Sequence, residues 1–129
     1  MRVAPGASLD HVSVELMRGI CVVEEEFQKA GLEARITSAF RPGSWAICLL
    51  HGTARPPSRA HRTGLVDACD FSYPPPEKAA EIISAITKRL SKKHGGAFDV
   101  LDEKTAASAT AAGVGSQWTG QHIHLEFDP

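Results

Sequence analysis

The sequence predicts an α+β domain, a small antiparallel sheet with helices packed on one side of it. Three observations predict it. Two long stretches carry apolar residues at spacings of three and four, the period of a helix with one buried stripe. Between and after them lie short stretches with strand-like alternation, bounded by Gly and Pro. The chain closes on Gln121-His122-Ile123-His124-Leu125-Glu126-Phe127, in which alternate side chains of an extended backbone fall on opposite faces. Ile123, Leu125 and Phe127 then face a core, and His122, His124 and Glu126 face the other way.

Taken in order, Ser8 is the first candidate N-cap. From there to Lys29 the residues Leu9, Val12, Leu16, Ile20, Val23 and Phe27 form one stripe, predicting one helix. Gly19 weakens its middle by about 1 kcal/mol relative to Ala, and Lys29-Ala30-Gly31 supplies a basic last turn and a glycine stop. Asp10, His11 and Glu15 sit on the polar side, where a solvated role is expected. Ala34 to Ala39 reads as a short strand that leaves through the turn Phe40-Arg41-Pro42-Gly43. Trp45 to Leu50 is an apolar patch too short to classify. His51 to Ser58, with two prolines and a glycine, is loop. A strand follows from Leu65, with Val66, Ala68, Asp70 and Ser72 on one face and Asp67, Cys69, Phe71 and Tyr73 on the other. Pro74-Pro75-Pro76 ends it beside a helix start. Glu77 to His94 is the second helix, its apolar side made of Ala79, Ala80, Ile82, Ile83, Ile86 and Leu90. Ala97 to Leu101 is a short strand. Lys104 to Gly120, rich in Ala, Ser, Thr and Gly, reads as a surface excursion before the closing strand.

Composition narrows the function classes. The 129 residues suit one domain with a single core, spanning 1–129 with no internal repeat or linker. A net charge of −1 without a basic excess argues against a nucleic-acid partner. No apolar run is long enough to insert in a membrane, and the first residues hold no apolar segment of the signal-peptide kind. Synthesis in the cytoplasm is expected, with any action at a cell wall or in a virion depending on release by something else. The three cysteines, Cys21, Cys48 and Cys69, are odd in number and widely spaced. They read as small buried apolar residues rather than a disulfide framework or a zinc ribbon. Nothing here fixes an oligomeric state.

The chemistry concentrates in two places. His61 and Asp70 lie in and after a glycine-containing turn, and His122 and His124 lie on the closing strand. Two histidines, one carboxylate and an open fourth position make the ligand set of a catalytic zinc; scattered structural histidines are the plain alternative. His and Asp ligands also suit other divalent metals.

Three segments carry a resemblance. Ile36-Thr37-Ser38-Ala39-Phe40-Arg41 resembles the "T-S-G/A-aromatic-R" segment of the zinc peptidases that group D-alanyl-D-alanine carboxypeptidases, lysostaphin and hedgehog domains. Ser58…His61-x-x-Gly64…Ala68-x-Asp70 is similar to their "S-x-H-x-x-G-x-A-x-D" signature, and His122-x-His124 to their closing His-x-His. The segments come in the family's order and span Ile36 to His124. The small phage- and prophage-borne members, whose chains also end near "H-I-H-x-E-x-D-P", look nearest.

The resemblance implies a hedgehog/D-Ala-D-Ala-peptidase-like fold and a zinc held by His61, Asp70 and His124. It implies that His122 binds or deprotonates the attacking water or steadies the oxyanion, that Arg41 faces substrate, and that Ser58 braces the site. The implied activity is zinc-dependent hydrolysis of bacterial peptidoglycan peptides, as D-Ala-D-Ala carboxypeptidase or endopeptidase, in a phage or prophage lysin; the alternative is an inactive zinc-binding module of a phage particle. Two departures bear on the roles. This chain has two residues between Ser58 and His61 where the family has one. Asp70 lies nine residues after His61 where the family has seven, which makes Asp67, six after, a rival ligand; strand alternation favours Asp70. Gln121 stands where some members carry an acidic base, so the base falls to His122 or to a carboxylate from elsewhere. Glu103, at the end of the preceding strand, and Glu126 are the candidates, each with a solvated or outer role as the alternative. Trp118 is a candidate cleft residue, with core packing as its alternative, and His51 reads as a loop histidine.

Overall fold

The first helix begins later than its apolar stripe suggests, and the cause is tertiary. Residues 9–13 are drawn alongside the segment before the third strand: Val12 and Val66 form a parallel bridge, the Val66 N–H donates to the His11 carbonyl at 2.7 Å, and the Ser13 N–H donates to the Val66 carbonyl at 2.9 Å. His11 adopts a positive φ of 60° in this crossing and remains exposed. Ser13 rather than Ser8 is therefore the N-cap, its hydroxyl accepting from the Leu16 N–H at 3.1 Å. Leu9 and Val12 still pack against the core from outside the helix.

The computed structural model describes residues 1–39, 65–104 and 120–129. In chain order these form β1 (Arg2–Val3), α1 (Val14–Lys29), β2 (Arg35–Ser38), β3 (Ala68–Ser72), α2 (Pro76–Leu90), a 3₁₀ turn (Lys92–His94), β4 (Phe98–Glu103) and β5 (His122–Phe127). The sheet order is β1-β2-β3-β5-β4. The expected α+β class stands, with one correction to the sheet. The pairs β2–β3, β3–β5 and β4–β5 are antiparallel, but β1 adds to β2 in parallel, so the sheet is mixed. β1 has two residues, too few to show a period; pairing with β2 alone makes it a strand.

The second helix runs from Pro76 to Leu90 and stops short of His94. Ser91 turns extended, bridges Phe98, and caps the 3₁₀ turn through its hydroxyl on the Lys93 N–H. Of its predicted apolar side, Ala79, Ile82, Ile86 and Leu90 are buried, Ile83 is half-buried, and Ala80 is exposed. Glu26, buried on α1, accepts from Lys29 at 3.0 Å and from Arg89 of α2 at 2.9 Å, tying the helices together. These two cations hold its carboxyl below the ordinary range.

The core gathers Leu16, Ile20, Val23 and Phe27 of α1, Ile82, Ile86 and Leu90 of α2, and one face of the sheet: Ile36, Cys69, Phe71, Ile123 and Leu125. Val66 also joins it, against the strand alternation, because it lies before β3 begins. Cys69 is buried as expected, and burial pushes its thiol well above the ordinary value; Cys21 is instead exposed on α1. Cys48 lies outside the described residues, as do the patch 45–50, the loop 51–58 and most of the stretch 104–120.

Gly19 turns out to be a contact point. A Cβ built there would lie 2.7 Å from the Phe98 ring and 3.1 Å from Leu125 Cδ2. The Phe98 ring in turn packs against Phe127 with centroids 5.4 Å apart. Gly19→Ala is expected to destabilise the fold by about 1 kcal/mol. Overpacking at such a site costs about 1–3 kcal/mol, which outweighs the roughly 1 kcal/mol of helix propensity that Ala adds. Denaturant unfolding measures it.

Candidate functional site

The face of the sheet opposite the core carries the polar residues of β3, β4 and β5. Three strands set its geometry. β3 and β5 run antiparallel with Asp70 directly opposite His124 and Ser72 opposite His122. β4 and β5 run antiparallel with Glu103 opposite His122 and Leu101 opposite His124. Paired residues of neighbouring strands share a face, so Asp70, His124, His122 and Glu103 stand side by side. β2 reaches the same place: Ser38 pairs with Asp70 after a shift of register, and the Thr37 hydroxyl donates to the Asp70 carbonyl at 3.4 Å.

The side chains form two pairs. In the first, His124 Nδ1 lies 2.8 Å from Asp70 Oδ1, both groups about one-fifth exposed. Burial pulls the His124 pKa down, but the hydrogen bond and charge of Asp70, helped by Glu126 and Glu103, outweigh it and leave it raised above 6.5. In the second, His122 Nε2 meets Glu103 Oε2 in a close contact. His122 Nδ1 lies 2.5 Å from the Gly120 carbonyl. Glu103 is only 2% exposed, and its other oxygen, Oε1, is buried without a hydrogen-bond partner among the described residues. The pairs touch through His122 Nε2, 3.7 Å from Asp70 Oδ1.

Asp67 stands elsewhere. Its carbonyl accepts from the Phe127 N–H at 2.7 Å, so it lies beside the far end of β5, three residues from His124, or about 10 Å at the rise of a strand. It is buried. Glu126 shares the open face with His124 but pairs with Asp99 of β4. Gln121 is exposed. Of the other residues singled out in the sequence, Arg41, His51, Ser58, His61 and Trp118 lie outside the described residues.

Two donors of the kinds zinc takes, Asp70 and His124, meet here, and the third ligand that the resemblance implies, His61, lies outside the described residues. Imidazole nitrogen and carboxylate oxygen are zinc donors, and two ligand atoms of a tetrahedral zinc lie about 3.4 Å apart. The Asp70–His124 separation is a hydrogen-bond distance only slightly shorter. An ion would take the place of the shared proton.

One group was not anticipated. Asp99, Glu126 and Asp128 bring three carboxylate oxygens within 4.8 Å of one another, close enough to share a cation. Lys92 already places its ammonium there, 2.9 Å from Asp128 and 3.3 Å from Asp99. These two carboxylates raise the lysine pKa. The signal in the sequence was the run Glu126-Phe127-Asp128, but only the β4–β5 register brings Asp99 beside it. No protein-family model, curated protein or solved structure matches this chain.

Proposed function

We propose that this protein is a zinc-dependent peptidase of hedgehog/D-Ala-D-Ala-peptidase-like fold. Its substrate is the peptide of bacterial peptidoglycan, cut in the manner of a D-Ala-D-Ala carboxypeptidase or endopeptidase, in a phage or prophage lysin. The observation that carries the reading is the meeting of Asp70 and His124. Their donor atoms lie 2.8 Å apart on the open face, from residues 54 apart in the chain, with the His122–Glu103 pair beside them.

Asp70 and His124 would hold the zinc together with His61, as the resemblance implies. Zinc bound there supplies Lewis acidity, lowering the pKa of a bound water to about 7 and polarising the scissile carbonyl. The chain's own residues handle protons and position. As the water oxygen bonds to the carbonyl carbon, its proton would pass to His122, whose ring contacts Glu103 and the Gly120 carbonyl. His122 would return it to the amine nitrogen as the C–N bond breaks. Arg41 holds a substrate carboxylate or the developing oxyanion. Ser58 would brace the site, as the resemblance implies, and Trp118 would be a substrate-contacting residue; both lie outside the described residues.

Zinc must displace the proton that Asp70 favours on His124, so uptake depends on pH. The sign follows from the raised histidine pKa. Without metal, the proton on His124 contributes stability that is fully present below pH 6.5 and is lost as pH rises through the folded value. With metal, affinity runs the other way. The apparent zinc affinity is expected to rise about tenfold per pH unit while His124 is protonated in the free protein, and to flatten above its folded pKa. Competition titrations with a chelator across that range measure it.

A second reading is favoured by two observations. Gln121 cannot take a proton, and both ring nitrogens of His122 are already engaged. A zinc-binding module of a phage particle without hydrolytic activity would show the same contacts. Incubating the zinc-loaded protein with purified peptidoglycan and with peptides ending in D-Ala-D-Ala separates the two. The peptidase reading requires new amino groups that disappear when zinc is chelated and return with zinc. Bound zinc without cleavage of either substrate would leave the inert module.

A further inference from the structure

We infer that Glu103 is a positioning residue that acts on the proposed reaction through His122, by gripping the ring together with the Gly120 carbonyl. The inference rests on the peptidase reading for its reaction but on separate contacts for its geometry.

The first contact fixes one nitrogen. A backbone carbonyl only accepts hydrogen bonds, so His122 Nδ1, 2.5 Å from the Gly120 oxygen, carries a hydrogen and donates it. Gly120 holds φ at 134°, where residues with a Cβ are strained. The second contact fixes the other nitrogen. Nε2 faces Glu103 Oε2 on the neighbouring strand, in a register that sets the two residues directly opposite. With both nitrogens held, the ring cannot flip, and its Nε2 edge stays toward Asp70 at 3.7 Å.

The third observation says what Glu103 is there to do. At 2% exposure it is the most deeply buried acidic side chain among the described residues. Its only hydrogen-bond or ion-pair partner among them is His122, and Oε1 has none. A carboxylate buried with one partner is costly to the fold. An apolar or amide side chain of similar size would pack there with less penalty. The contact it makes is with the His122 ring, whose Nε2 edge lies 3.7 Å from Asp70.

The test is Glu103→Gln, which keeps the shape and removes the anion. Three quantities are read on zinc-loaded parent and variant: thermal stability, steady-state cleavage of the peptide substrate, and the ring-nitrogen NMR signals of His122. A positioning role predicts a variant that binds zinc and melts at the same or a higher temperature. Its kcat falls about 10–100-fold, the scale of loss seen when an outer hydrogen-bond partner at a metal site is removed, while KM stays within about twofold. The His122 signals shift as the anion beside Nε2 is replaced by a neutral amide. Unchanged kcat with unchanged His122 signals would overturn the inference. So would a variant that loses stability and turnover in parallel, since that marks a structural residue. If the parent cleaves no peptide, the peptidase reading fails by itself, and the ring signals decide the grip: signals unmoved by Glu103→Gln overturn it as well.

Discussion

Asp70→Ala is expected to abolish zinc binding at one equivalent per chain while leaving the protein folded, and to lower zinc-dependent turnover roughly a thousandfold or more. The fold survives because Asp70 is on the open face, about one-fifth exposed, and packs no core. The metal is lost because the remaining described donor, His124, keeps neither its carboxylate neighbour nor a second ligand at 2.8 Å. The size follows from the chemistry: Lewis-acid stabilisation is worth several kcal/mol, and each 1.36 kcal/mol is about tenfold in rate. Asp67→Ala is the contrast. Asp67 lies at the Phe127 end of β5 and is buried, so its loss is expected to cost stability and spare the zinc. Zinc titration of the two variants reads both outcomes. Retained zinc in Asp70→Ala with lost zinc in Asp67→Ala would reverse the assignment.

Phe71→Ala is expected to be the most destabilising single change, by about 3–5 kcal/mol. The ring is fully buried, with Ile36 opposite on β2 and Ile123 opposite on β5, so it fills the centre of the core face. The amount is a large share of the 5–15 kcal/mol typical of a domain. It also reaches the site, because Phe71 and Asp70 are neighbours with opposite facing, and strand β3 cannot lose one side without loosening the other. Denaturant unfolding with and without zinc should show the variant partly rescued by the metal, as binding to the folded state alone raises stability.

Much of this arrangement was legible in the residues. The alternation Cys69-Asp70-Phe71 and Ile123-His124-Leu125 told which side chains face away from the core, and the structure has them so. Both helices were legible from their stripes. Their ends were not, because Val12–Val66 and Ser91–Phe98 bridges between distant segments decide where each helix starts or stops. β1 is a strand only by virtue of its neighbour. Gly19 looked like a weak point in a helix and is a point of close approach to Phe98 and Leu125. Glu103 was one of two candidate carboxylates; only the pairing of β4 with β5 sets it against His122 and sends Glu126 toward Asp99. Register between strands is a property of two segments at once, and a one-dimensional pattern fixes only the facing within each.

Whether a zinc is held on the open face of the sheet is read from the metal content of the protein purified without added metal and then equilibrated with zinc. One zinc per chain, removed by a chelator and lost in His124→Ala, is the predicted result. A parent that carries no zinc and takes up none would contradict the proposed zinc site and leave Asp70 and His124 as a hydrogen-bonded pair on a polar sheet face.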